Sequence, residues 1–187
     1  MAEKRLILAS GSPRRSELLS KMGYTFETCA QDVDEHISGV PSEIVRTLAV
    51  RKAHAAAEHT SGVVIASDTL VSLDSKPLGK PADAEDPKRM LRALSNREHE
   101  VFTGVCVLDT ETGREEVRVE RTGVHFRPIA ETEIEEYVQT GEPMDKAGAY
   151  AIQGGACVFV DALDGSFSNV MGFPTKAVRE MLSHFGL

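Results

Sequence analysis

Aromatic residues are scarce in this chain, at 5% of its 187 residues, and tryptophan is absent. The core must therefore be aliphatic, and a hydrophobic content of 41% suffices for a single domain over residues 1–187, globular or compactly two-lobed. No run approaches the roughly 20 apolar residues that a membrane span requires. The apolar stretch after Met1-Ala2-Glu3-Lys4-Arg5 is too short for a signal peptide, so the expected location is cytoplasmic. Cysteine is limited to Cys29, Cys106 and Cys157, with no Cys-x-x-Cys pair and no histidine at zinc-ligand spacing. That argues against a disulfide framework or a zinc site and leaves buried, reduced thiols.

Basic residues are also in deficit: 21 Lys and Arg against 29 Asp and Glu give a formal net charge of −8. Such a field repels nucleic acid, so an anionic partner must be small and held by a few local cations. The Walker A pattern and the Gly-x-Gly-x-x-Gly fingerprint are both missing, and no internal repeat, low-complexity tract or linker interrupts the chain.

What is present centres on Ala9-Ser10-Gly11-Ser12-Pro13-Arg14-Arg15-Ser16-Glu17, between the apolar Leu6-Ile7-Leu8 and an amphipathic helix. Small residues let backbone N–H groups approach a ligand, Pro13 suits a first helical position, and the positive helix end adds to the adjacent guanidiniums. Phosphate is the expected guest.

Periodicity predicts strands at Leu6–Ala9 and Tyr24–Cys29 around a helix from Pro13 to Met22, with Gly23 at its C-terminus. A polar loop from Gln31 to Pro41 leads to a long helix capped by Ser42 and ending near His59. Val63–Ala66 reads as a central strand stopping at Ser67-Asp68-Thr69, with Leu70-Val71 resuming; Asp74–Pro81 reads as a turn, followed by a helix through Met90, Leu91 and Leu94. Strands at Val101–Asp109 and Glu115–Arg127 flank a turn at Glu111-Thr112-Gly113 and form an antiparallel extension. A short helix from Glu133 to Gln139, a loop over Gly141–Tyr150, strands near Cys157–Val160 and Phe167–Val170 and a helix from Pro174 to His184 complete an α/β pattern.

Lys52 falls within the apolar stripe Val45, Leu48, Ala49, Ala53, Ala56. Its ammonium either snorkels to water or ends in a polar cleft beside an anion. Asp68 is either a turn-forming aspartate or a carboxylate at the carboxyl edge of a sheet, where α/β proteins bind ligands. Arg14, Arg15, Lys52 and Lys80, with Lys146 as a further candidate, supply cations; Glu35 and Asp68 supply carboxylates. Phosphoanhydride hydrolysis needs this inventory: cations for phosphate oxygens, acids for a divalent metal, and a base for water. Gly154-Gly155 reads as a turn.

The motifs Leu8-Ala9-Ser10-Gly11-Ser12-Pro13-Arg14-Arg15, Lys52-Ala53, Ser67-Asp68-Thr69, Leu78-Gly79-Lys80-Pro81 and Asp145-Lys146-Ala147-Gly148-Ala149-Tyr150-Ala151-Ile152-Gln153-Gly154 occur in the order that marks the Maf nucleotide pyrophosphatases, also called septum formation inhibitor proteins. The chain resembles that family over essentially its full length. The resemblance implies a Maf/Ham1 (ITPase-like) α/β fold, an elongated mixed sheet flanked by helices with two lobes and a central cleft, usually in a homodimer. It also implies metal-dependent hydrolysis of a nucleoside triphosphate to monophosphate and pyrophosphate, with Mg²⁺, Mn²⁺ or Co²⁺ as cofactor, in the dTTP/UTP branch. By the same resemblance Asp68 is the proton acceptor or a metal ligand with Glu35. Lys52, Lys80 and Glu35 belong to the catalytic set, and Ser10, Arg14, Arg15, Thr69 and Gln153 to the substrate site, with Gln153 reading the base. Ser67 departs from the alanine familiar before Asp-Thr. The alternatives are a nucleotide sensor that slows division through a partner, or a pyrophosphatase for purine or modified nucleotides such as 7-methyl-GTP.

Overall fold

The computed structural model describes residues 4–187; Met1–Glu3, on which part of the signal-peptide expectation rests, lie outside them. The chain runs β1 (Leu6–Leu8), α1 (Pro13–Lys21), β2 (Glu27–Thr28), α2 (Pro41–Ala57), β3 (Val63–Leu73), β4 (Lys76–Leu78), α3 (Asp86–Leu94), β5 (Glu98–Asp109), β6 (Glu115–Phe126), α4 (Glu131–Gln139), β7 (Val160–Asp164), α5 (Phe167–Val170) and α6 (Thr175–His184). Short 3₁₀ turns at Glu142–Asp145, Ala147–Ala149 and Gly155–Phe159 lie between α4 and β7. The sheet is mixed, in the order β2-β1-β3-β5-β6-β7, with β4 on the far half of β3. β1 pairs parallel with β2 and β3, and the other pairs are antiparallel.

Alternation along the strands assigns each residue its layer. Leu6, Leu8, Val63 and Ile65 point to one face, where Leu19 of α1 and Val178, Met181 and Leu182 of α6 cover them. Ile7, Val64 and Ala66 point to the other, covered by Ala49, Ala53 and Ala56 of α2. Beyond the middle of β3 a third cluster takes over, joining Val71 and Leu73 to Leu91, Leu94, Phe126, Ile134, Tyr137 and Phe159. The long strands thus connect two lobes, and the partly buried Asp68, Thr69 and Leu70 fall between their cores.

Several local expectations give way to tertiary pairing. β3 is continuous across Ser67–Thr69, because β5 pairs with it there through Ser67↔Val105, Asp68↔Gly104 and Thr69↔Thr103. Asp68 is therefore mid-strand, and no carboxyl edge or turn holds it. The Tyr24–Cys29 strand shrinks to Glu27–Thr28, since short β1 offers only Ile7 and Leu8 as partners. Ser42 does not cap α2; Val40 is the N-cap and Pro41 takes the first helical position, where a missing N–H costs nothing. The Asp74–Pro81 turn contains β4. Near Cys157 the chain forms a 3₁₀ turn before β7, and Phe167–Val170 is a single helical turn whose Asn169 N–H donates to the Ser166 hydroxyl at 3.2 Å.

Gly104 fixes how closely α2 approaches the sheet. A Cβ at this position would overlap the Val45 carbonyl, so only glycine lets the helix lie flat beside Asp68. Gly104→Ala is expected to cost about 2 kcal/mol or more through overpacking, read as a lowered denaturant midpoint; a wild-type midpoint would show that α2 shifts freely.

His99 is fully buried, with Nε2 2.7 Å from the Tyr150 hydroxyl and its ring edge-on to Phe126 and Tyr150. Burial, with a smaller contribution from His125, lowers its pKa from 6.5 to about 4. Between those values the unfolded chain binds a proton that the folded chain refuses. Stability must therefore fall as pH drops through that window, by up to about 3 kcal/mol. Unfolding titrations between pH 7 and 4 check this, and His99→Gln should flatten the slope.

Candidate functional site

The segments between the lobes enclose a cleft of about 1320 Å³. Ser10, Arg14, Arg15, Glu35, Lys52, Asp68, Thr69, Lys80 and Gln153 all line it, as does Lys146. They come from widely separated segments of the chain: Ser10 from the turn after β1, the arginines from the first turn of α1, Glu35 from the loop before α2. Lys52 projects from α2, Asp68 and Thr69 from mid-β3, Lys80 from the segment after β4, and Gln153 from the turn before the last 3₁₀ segment.

At the centre, Lys52 Nζ sits 2.6 Å from Asp68 Oδ1 and 2.7 Å from Glu35 Oε1. Asp68 shares the face of β3 that α2 covers, so strand alternation and helix position bring the pair together. The Lys52 side chain is only 17% exposed, and its ammonium ends on carboxylates in the cleft, which decides against snorkelling. The Lys52 hydrogen bond, reinforced by charge from Lys52, Lys80 and Arg15, holds the Glu35 carboxyl below its ordinary pKa against partial burial.

On the opposite face of β3, Arg15 braces the site. Its Nε donates to the Gly172 carbonyl at 3.0 Å, and its terminal nitrogens donate to the Ser10 and Thr69 hydroxyls at 3.3 Å each. Burial lowers its pKa, opposed by the nearby Asp68. Ser10 Oγ also accepts from the Ser12 N–H at 3.1 Å, which shapes the turn ahead of α1. Thr69 meets Thr103 at 2.9 Å, and Thr103 donates to the Asn169 carbonyl at 3.2 Å. Ser67 is buried, with its hydroxyl 3.5 Å from the Gly172 carbonyl. Lys146 is committed to Asp145 at 2.7 Å and to the Glu142 carbonyl at 3.2 Å. Among the described residues, the side chains of Arg14, Lys80 and Gln153 make no hydrogen bond or ion pair with protein; they face the cleft.

Glu142, Asp145, Thr103 and Gly172 were not legible as site residues. Glu142 and Asp145 lay in a segment without period, and Gly172 acts only through its main-chain carbonyl. The acids Asp32, Glu35, Asp68, Glu142 and Asp145 balance the cations Arg14, Arg15, Lys52, Lys80 and Lys146 along the lining. Among the described residues no helix is long and apolar enough to cross a membrane.

The family profile described as Maf-like protein matches residues 5–185. A dTTP/UTP pyrophosphatase of Desulforamulus reducens is 46% identical over 185 residues, 97% of each chain. Another, from Pelotomaculum thermopropionicum, is 46% identical over 186 residues, 98% of this chain and 97% of its own. Among solved structures, the Ham1 protein of Staphylococcus aureus is similar with a TM-score of 0.49, at 19% identity over 66% of this chain and 72% of that one.

Proposed function

This chain belongs to the Maf-like protein family, and from that membership we propose that it hydrolyses dTTP and UTP at the α–β phosphoanhydride bond, releasing the monophosphate and pyrophosphate. The observation that carries the proposal is the convergence of a phosphoryl-transfer inventory on one cleft, with Asp68, Lys52 and Glu35 in direct contact. In this reading the turn at Ser10 and the positive end of α1 take phosphate oxygens, and Arg14 joins them. Arg15, already bonded to protein acceptors, holds that turn against β3. Lys52 and Lys80 stabilise the leaving pyrophosphate, and Asp68 accepts the proton of the attacking water. Thr69 aligns the substrate, and Gln153 presents a donor and an acceptor to the pyrimidine edge.

A divalent cation fits this lining. Among the described residues no three His, Cys, Asp or Glu side chains gather as a ready ligand set. Glu35 and Asp68 converge on the Lys52 ammonium, and their remaining oxygens suit a hard cation whose other ligands are water and phosphate oxygens. Glu35 and Asp68 would hold Mg²⁺, Mn²⁺ or Co²⁺, which when bound neutralises phosphate charge. The equal numbers of acids and bases in the cleft favour such a neutralised triphosphate over a bare polyanion. Chelation is expected to lower turnover at least about 10²-fold, with recovery on adding Mg²⁺; a rate indifferent to chelator would remove the metal from the reading.

The deciding assay is a nucleoside triphosphate panel with purified chain and Mg²⁺. Pyrophosphate and monophosphate in equal amounts, fastest from dTTP and UTP, support the proposal. Tight binding without product would make the cleft a sensor, and preference for purines would place the chain outside the pyrimidine reading. The reading extends to a cytoplasmic homodimer, tested by fractionation and sedimentation equilibrium.

A further inference from the structure

The turn carrying Gln153 is anchored on both sides by groups outside the phosphate-binding set. Before it, the Ala151 N–H donates to the Tyr137 hydroxyl at 3.1 Å; after it, the Gly155 N–H donates to Glu142 Oε2 at 3.1 Å. Tyr137 is buried and packs edge-on against Phe159, which fixes its ring. Burial, and then the Glu142 carboxylate beside it, raises the phenol's pKa, so the hydroxyl stays protonated. Lys146 Nζ ties the main chain of Glu142 in place at 3.2 Å.

The adjacent glycines show how close this packing is. A Cβ on Gly154 would overlap the Glu142 carboxylate, and one on Gly155 would meet the Tyr137 ring at 3.0 Å. Gly154 has φ −110°, and a side chain there would push the Glu142 carboxylate aside. The Gly154-Gly155 pair is thus the flush surface against which an acid and a phenol seat the turn. Glu142 lines the cleft, where a carboxylate facing a polyanion is unfavourable by simple Coulomb repulsion. Its bond to Gly155 gives that acid a task.

We propose that Glu142 and Tyr137 form a clamp that positions Gln153 and thereby sets the base selectivity of the cleft without touching the reacting atoms. This rests on the reading of Gln153 as the base-recognising residue. An amide discriminates between base edges only while its donor and acceptor are held in a fixed sense, and a loosened turn lets it present either. The clamp therefore acts on KM and selectivity more than on kcat.

The test is steady-state kinetics with Mg²⁺ and dTTP, UTP or dGTP for Glu142→Ala, Tyr137→Phe, Gln153→Ala and the Glu142→Ala/Gln153→Ala double variant. Glu142→Ala is expected to raise KM for dTTP about 10-fold and to erode the dTTP-over-dGTP preference by a similar factor. Tyr137→Phe, which keeps the ring and deletes the hydroxyl, should shift both the same way to a lesser extent. Glu142→Gln retains an acceptor for the Gly155 N–H and should restore most of the selectivity. The double variant should be no worse than Gln153→Ala, because both changes act through one contact. Should Glu142→Ala fail to fold, Tyr137→Phe alone and combined with Gln153→Ala decides the same question. Wild-type KM and selectivity in both clamp variants, while Gln153→Ala loses them, would overturn the clamp. If Gln153→Ala itself leaves base preference intact, the base-recognition premise fails and the clamp's role falls with it.

Discussion

Asp68→Asn is expected to lower kcat for dTTP about 10²–10⁴-fold, the range for removing a general base. Asparagine keeps the shape of the side chain, and β3 keeps its pairing across Asp68↔Gly104, so the variant should fold normally. What is lost is the carboxylate 2.6 Å from Lys52, to which the proposed mechanism gives the proton of the attacking water. A magnesium titration separates its candidate tasks. If Asp68 is the proton acceptor, extra metal does not help the variant. A residue that chiefly holds metal yields a variant partly rescued by raising the Mg²⁺ concentration. Near-normal turnover in Asp68→Asn would remove this residue from both tasks.

Lys52→Met should reduce kcat/KM about 10²–10³-fold, comparable to deleting a preorganised electrostatic group. The substitution preserves the packed stem and removes only the ammonium. Glu35 and Asp68 then face one another without the cation they share at 2.7 and 2.6 Å, and both repel an incoming triphosphate. The Glu35 carboxyl also loses the hydrogen bond chiefly responsible for its lowered pKa, so its titration should move upward. Carboxyl titrations followed by NMR in wild type and variant check that direction, and pyrophosphate-release kinetics check the rate. A variant with wild-type kcat/KM would mean that Lys52 serves only to hold the lobes in register.

Local pattern made the helices and the outer parts of the strands legible. The Leu18, Leu19, Met22 stripe and the alanines along α2 mark helical faces, and the hairpin at Asp109–Arg114 announces its turn chemistry. The mid-strand position of Asp68 was not legible, because Ser67-Asp68-Thr69 looks like an interruption until β5 lends it a partner more than thirty residues away, with Thr69 opposite Thr103. The Phe167–Val170 turn failed as a strand for a related reason: its Ser166 cap and the buried Asn169, which donates to Val101 and Thr122, depend on tertiary neighbours. At the site, charged residues set at odds with their surroundings were visible, and Lys52 among alanines is the clearest case. Groups that act by holding others were not, since the Gly172 carbonyl and the Glu142 carboxylate carry no local signature.

Hydrolysis of dTTP in ¹⁸O-labelled water by the Mg²⁺-loaded protein puts the geometry to its most direct test. If water activated by Asp68 attacks the α-phosphorus, as proposed, mass spectrometry should find the label in dTMP and none in pyrophosphate. Label in pyrophosphate, or release of inorganic phosphate in place of pyrophosphate, would contradict that placement of nucleophile and leaving group.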